Sequence, residues 1–182
     1  FVIQDAIRYA TDHGVIVVAA AGNSGRPPVA YPAALESVIS VSAVETSGQL
    51  ASFSSYGPTL DLVAPGVNII STRLDDTYGP RSGSSFAAPQ VAGLAALLLS
   101  RQPQLTAAQV RGALVASTQD LGDTGWDFSF GSGQIDAAKL IDFVRGTATP
   151  TIAQITSPAG DSEVSGLINI EADVSGNDAT AY

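Results

Sequence analysis

The chain contains no cysteine and no methionine, and in 182 residues it has one histidine, one tryptophan and eight basic side chains. Lack of cysteine excludes disulfides and thiolate metal sites, though it fixes no compartment, because a domain of this length can hold together without cross-links. Seventeen acidic residues against eight basic ones give a net charge of -9, which repels phosphate and argues against a nucleic-acid partner. No apolar stretch reaches eighteen residues, so no membrane span is expected. The N-terminus has no initiator methionine, no basic leader and no signal-like apolar segment. Residues 1–182 are therefore expected to be a fragment that begins inside a fold.

What the chain does have is apolar material and turns. Apolar residues make up 45% of it, with 18 glycines and 10 prolines, and the mean hydropathy is +0.23. That suits a buried core threaded by many tight connections. Apolar spacing at residues 2, 3, 6, 7 and 10 predicts a helix that stops at His13-Gly14. A nearly continuous apolar run over 15–20 predicts a strand buried on both faces. Further strands are expected at 38–44, 61–63 and 67–71, and helices at 86–100, 106–116 and 136–144. Ala87, Val91, Leu94, Ala95 and Leu98 form one stripe of a central helix, and Pro89 lies close enough to its start to be tolerated. This is α/β order. Past residue 145 the texture becomes polar and β-biased, a linker over 146–153, and Ile168, Ile170, Ala172 and Val174 alternate as a strand does.

Chemistry is concentrated in two glycine-bounded turns. Ser82-Gly83-Ser84-Ser85-Phe86-Ala87-Ala88-Pro89-Gln90-Val91-Ala92-Gly93 puts a serine at the opening of a helix, where unpaired N–H groups and the helix dipole favour developing negative charge. Gly22-Asn23-Ser24-Gly25 follows the first buried strand, at a strand end where open α/β sheets place ligands. Between them lie Tyr31-Pro32-Ala33, the run 37–44, Ala51-Ser52-Phe53-Ser54-Ser55-Tyr56-Gly57 and Leu62-Val63-Ala64-Pro65-Gly66. These blocks, in this order, resemble the subtilases, the subtilisin-like serine peptidases, over roughly residues 1–143.

The resemblance implies a partial doubly wound parallel sheet with flanking helices over residues 1–145, the C-terminal half of a catalytic domain. It implies a protein or peptide substrate and a secreted or cell-envelope location. Ser85 matches the nucleophile and Asn23 the oxyanion donor, while Ser84 is expected to cap the helix. Ala20, Ala21, Gly22 and Ala30 match one side and the floor of the primary pocket. All are small, so the pocket should admit large apolar side chains. Phe86 stands where the family very often has methionine. The family's chain order, Asp, His, then Ser, puts both partners of Ser85 upstream. His13 matches no catalytic position and is read as an exposed helix-end residue. The chemistry needs no cofactor. Asp61, Asp75, Asp76 and the other carboxylates read as solvated turn residues, although Asp61 with carbonyls near Ala33, Leu35 and Val38 also resembles a weak cation site of the family, which would hold a structural calcium. Residues 154–182 resemble the opening strands of a bacterial immunoglobulin-like module. Two other readings stand beside this one. A sedolisin-type acid peptidase shares the fold and a similar serine block, although the Ala20-Ala21-Gly22-Asn23 turn argues against it. A non-catalytic scaffold would keep the fold without the upstream acid or base.

Overall fold

Three β-branched and alanine-rich runs become parallel strands β1 (Val17–Ala20), β2 (Val38–Val44) and β3 (Leu62–Pro65), hydrogen-bonded in that order. The computed structural model describes residues 2–74, 76–145, 152–157 and 171–175. Every residue of β2 is buried. Its pleat sends Ile39, Val41 and Ala43 to one core cluster, together with Leu62 and Ala64 of β3. Val44 and Val63 point the other way, into a second cluster with Ala21, Val29, Ala33 and Leu60. Alternate side chains of a strand must face opposite layers, so a strand covered on both sides is apolar at nearly every position. The expectation of two-sided burial belongs to β2 rather than to β1. All four residues of β1 are only half-buried, because β2 pairs with one of its edges and no described strand pairs with the other.

Helix α1 (Val2–Asp12) precedes β1 and buries none of its side chains. It ends where the sequence predicts, with Gly14 at φ 79 and the Val15 amide donating back to the Ala10 carbonyl at 3.0 Å. The main covering layer is α2 (Ser84–Arg101), which packs against all three strands. Ala87, Val91, Ala95 and Leu98 are buried in that contact, four of the five residues of the predicted stripe; Leu94 packs on its margin. Pro89 leaves the Ser85 carbonyl without its usual helical donor.

Helix α3 (Ala107–Ala116) begins with a full capping box between Thr106 and Gln109. Helix α4 (Ala137–Arg145) starts on Asp136, whose carboxylate accepts from the amides of Ala138 and Lys139 at 2.9 and 3.1 Å. The glycine-bearing turn ahead of α4 runs along β3, the Ser132 amide donating to the Asp61 carbonyl at 2.8 Å and the Ile135 amide to that of Val63 at 3.0 Å.

Two further pairs of strands are antiparallel. β4 (Ile69–Thr72) pairs with β5 (Tyr78–Arg81), a strand that sequence pattern does not predict. β6 (Ile152–Ser157) pairs with β7 (Glu171–Ser175). β6 begins within the span read as a linker, and β7 overlaps the predicted strand. The rest of the linker, and most of the tail likened to an immunoglobulin-like module, lie outside the described residues.

Candidate active site

The carboxyl end of β1 runs into Ala21, Gly22 and Asn23, and the carboxyl end of β3 runs into Gly66. The Gly83 amide donates to the Gly66 carbonyl at 2.8 Å, which brings the start of α2 beside the Asn23 turn. Both glycines are required by geometry. A Cβ at Gly66 would lie 2.5 Å from the Ala43 Cβ and 3.0 Å from the Gly83 carbonyl oxygen. Gly83 has φ 150, and its missing side chain would lie 3.5 Å from Asn23 Nδ2.

Gly83 is the N-cap of α2, so Ser84 is not a cap and the expectation that it caps the helix is overturned. The reason lies in its position one residue inside the helix, where its side chain turns back into the protein. Ser84 is fully buried. Its backbone amide donates to Asn23 Oδ1 at 2.9 Å, and its hydroxyl lies 2.9 Å from the same oxygen and 3.2 Å from the Gly22 carbonyl. The Gly22 amide donates to that hydroxyl at 3.3 Å.

Because a backbone N–H can only donate, the atom of Asn23 facing it must be the carbonyl oxygen. The amide group is thereby oriented, with its NH₂ end turned away from Ser84. Asn23 Nδ2 donates to no other described residue, and Asn23 is exposed. Ser85 is the neighbour of Ser84 on the helix, yet it is exposed. Its own amide, in the first turn of α2, has no intrahelical acceptor. Two free donors and one exposed hydroxyl therefore sit together at the positive end of a long helix.

A layer of hydroxyls braces the Asn23 turn from behind. The Ser55 hydroxyl accepts from the Ser24 amide at 3.2 Å and lies 2.9 Å from the Ser24 hydroxyl, while the Ser55 amide donates to the Gly22 carbonyl at 3.0 Å. Ser42 donates to the Ser55 carbonyl at 2.8 Å, and Ser54 to that of Ala43 at 2.7 Å. Sequence reasoning saw the block 51–57 without assigning these supporting roles, for which only its serine content gave a hint.

Of the residues matched to a substrate pocket, Ala21 is fully buried in the second core cluster. Ala20 and Gly22 are half-buried and Ala30 is exposed. The Ala30 amide donates to the Ala21 carbonyl at 2.8 Å, tying the two sides together. His13 lies at the other end of β1 from Asn23; its Nδ1 donates to the Tyr9 carbonyl at 2.7 Å, and its ring packs on that of Tyr9. It is exposed, as expected, and takes no part in the site.

Asp61 lies ahead of β3, away from the Ser85 end of the sheet. It is buried rather than solvated as expected, because its carboxylate is bound to Arg111 of α3 and to Ser40 of β2, partners that local spacing does not reveal. Among the described residues no group of three or more acidic or histidine side chains could hold a metal.

An exposed serine thus lies beside an oriented amide, at the carboxyl ends of parallel strands on an α/β scaffold. A profile of the subtilase family matches residues 2–133, and the chain belongs to that family. It is 45% identical to subtilisin DY of Bacillus licheniformis over 138 residues, which is 74% of this chain and 49% of that protein. Identity is also 45% to the minor extracellular protease Epr of Bacillus subtilis (strain 168), over 74% of this chain and 21% of that protein. With a thermostable alkaline protease of Halalkalibacterium halodurans it is 42%, over 75% and 37%. The chain spans about half the length of the first of these relatives and less of the others.

Proposed function

We propose that the whole protein is a serine endopeptidase in which Ser85 is the nucleophile and Asn23 an oxyanion donor. The observation that carries this reading is the division of labour between adjacent serines: Ser84 is buried and fixed to Asn23, while Ser85 is exposed at the helix start. In the reaction, Ser85 Oγ attacks the carbonyl carbon of a peptide bond and its proton passes to a base in the part of the protein that this chain does not span. Negative charge on the carbonyl oxygen is met by Asn23 Nδ2 and the Ser85 amide. Collapse of this intermediate expels the amine, which takes the proton, and leaves an acyl ester on Ser85. Water then hydrolyses the ester. The reaction needs no cofactor.

The small residues Ala20, Gly22 and Ala30 favour substrates with a large apolar side chain ahead of the cleaved bond. A secreted location rests on the extracellular protease among the relatives.

Asn23→Ala in the whole protein tests the reading. A donor used mainly in the transition state should lower kcat and leave KM little changed. For the corresponding asparagine of a subtilisin the loss is about 10²–10³ in kcat, a value belonging to that enzyme and taken here only as the scale. A variant that keeps kcat and loses only KM would remove Asn23 from the oxyanion site.

A further inference from the structure

The Asp61 corner, where the family resemblance suggests a weak cation site, is closed by the chain itself. Asp61 Oδ2 accepts from the Ser40 amide at 2.8 Å; the Ser40 hydroxyl lies 3.0 Å from Oδ2 and 2.5 Å from the Thr59 carbonyl, with one proton for the two. Oδ1 accepts from Arg111 Nε at 2.8 Å and from Arg111 Nη2. Three N–H donors thus occupy three of the carboxylate's roughly four acceptor positions, and both oxygens are engaged. The third nitrogen of the guanidinium, Nη1, donates to the Glu36 carbonyl at 2.5 Å. Of the neighbouring carbonyls, that of Leu35 already accepts from the Val38 amide at 2.9 Å. A calcium ion wants six or more oxygens at about 2.3–2.6 Å. Here it would find one carboxylate with both oxygens already engaged and a fixed positive charge in contact with it, so the residues present do not fit a metal.

We infer that Arg111 is this corner's resident cation: its guanidinium does what a bound calcium or sodium ion would do, joining residues 36, 40 and 61 to α3 without metal. The charge and the direction of its donors suit the part. A guanidinium is permanently protonated and offers five donors in a rigid plane, so it links a carboxylate to a carbonyl from a segment 75 residues away in sequence. The pair is well shielded on one side, Asp61 being 8% exposed. On the other side it borders a cavity of about 350 Å³, lined also by Tyr31, Thr59 and Trp126. That cavity supplies room for a hydrated ion once the arginine is gone.

The test is thermal unfolding of the whole protein across a calcium or sodium titration. Asp61→Asn should lower the midpoint and leave any calcium response of the parent unchanged, since that response arises elsewhere. Arg111→Met should lower the midpoint by roughly 5 °C or more, from an uncompensated buried carboxylate. It should also gain a calcium or sodium response that Arg111→Met/Asp61→Asn lacks, and the two titrations tell which ion enters. A parent calcium response that Asp61→Asn abolishes, or an Arg111→Met variant that folds yet gains no cation response, would overturn the inference. Terbium, a calcium mimic excited through nearby indole, gives a second readout on the unaltered protein. Trp126 Nε1 donates to the Leu60 carbonyl at 2.9 Å, next to Asp61. The parent should show no terbium emission that Trp126→Phe removes; such emission would place a metal at Asp61 and contradict the assignment.

Discussion

At the scale of single residues, the proposed site depends on a side chain that has no reacting role in the proposed mechanism. Ser84 supplies an amide and a hydroxyl to the carbonyl oxygen of Asn23. The hydroxyl has one proton to share between that oxygen and the Gly22 carbonyl. Its removal leaves the backbone bond but loosens the amide plane and leaves the Gly22 amide without its acceptor. Ser84→Ala should therefore lower kcat of the whole protein about tenfold, the worth of one modest hydrogen bond, with KM nearly unchanged. Ser84→Thr keeps the hydroxyl and should restore most of the rate. Equal loss in both variants would mean that packing, not amide orientation, is at stake. Sequence pattern singled out Ser85 and Asn23 but misread Ser84, and the cause is physical. A serine beside a glycine at a helix start is a common N-cap, and one residue of difference in where the helix begins turns its hydroxyl from the helix end into the core.

At the scale of elements, periodicity made much of the fold legible. β2, α2, α3 and α4 lie where apolar spacing predicts them, because each buries a face that the spacing encodes. β5 escaped for an equally local reason. Its residues Tyr78, Gly79, Pro80 and Arg81 include two poor strand formers, and it exists because Ile69–Thr72 supplies a partner in register and Asp76 at φ 54 helps to turn the chain. Tertiary pairing decided that strand, and no single-strand pattern reports it. The junction of β3 with α2 yields a prediction at this scale. Gly66→Ala would force a methyl into the Ala43 side chain and against the Gly83 carbonyl, pushing the start of α2 away from Asn23. It should destabilise the protein by about 1–3 kcal/mol, the usual cost of overpacking, and reduce kcat as well. Thermal unfolding together with steady-state kinetics checks both; unchanged kcat in a folded variant would show that the Gly66–Gly83 contact does not set the site.

At the scale of the whole molecule, the described residues leave apolar side chains and one sheet edge uncovered. α1 buries no side chain, with Val2, Ile3 and Tyr9 at 87%, 66% and 68% exposure. β1 has no described strand along one edge, and the chain spans 49% of subtilisin DY. The described residues bring to the proposed site a hydroxyl and two N–H donors, and the chain's one histidine is engaged with Tyr9 at the other end of β1. The order of motifs, read through the family resemblance, gives the expectation that an acid and a base lie upstream, and the proposed function keeps it. The Arg111–Asp61 pair was not legible, because its partners lie 50 residues apart and nothing in local spacing joins them.

The central claim is that Ser85, and not its neighbour, forms the covalent acyl bond. An organophosphonate probe applied to the whole protein, followed by peptide mass spectrometry, tests it most directly. Labelling is predicted on Ser85, lost in Ser85→Ala, retained though slowed in Ser84→Ala, and absent when residues 1–182 are tested alone. A label carried by Ser84, or no label on the whole protein, would contradict the account.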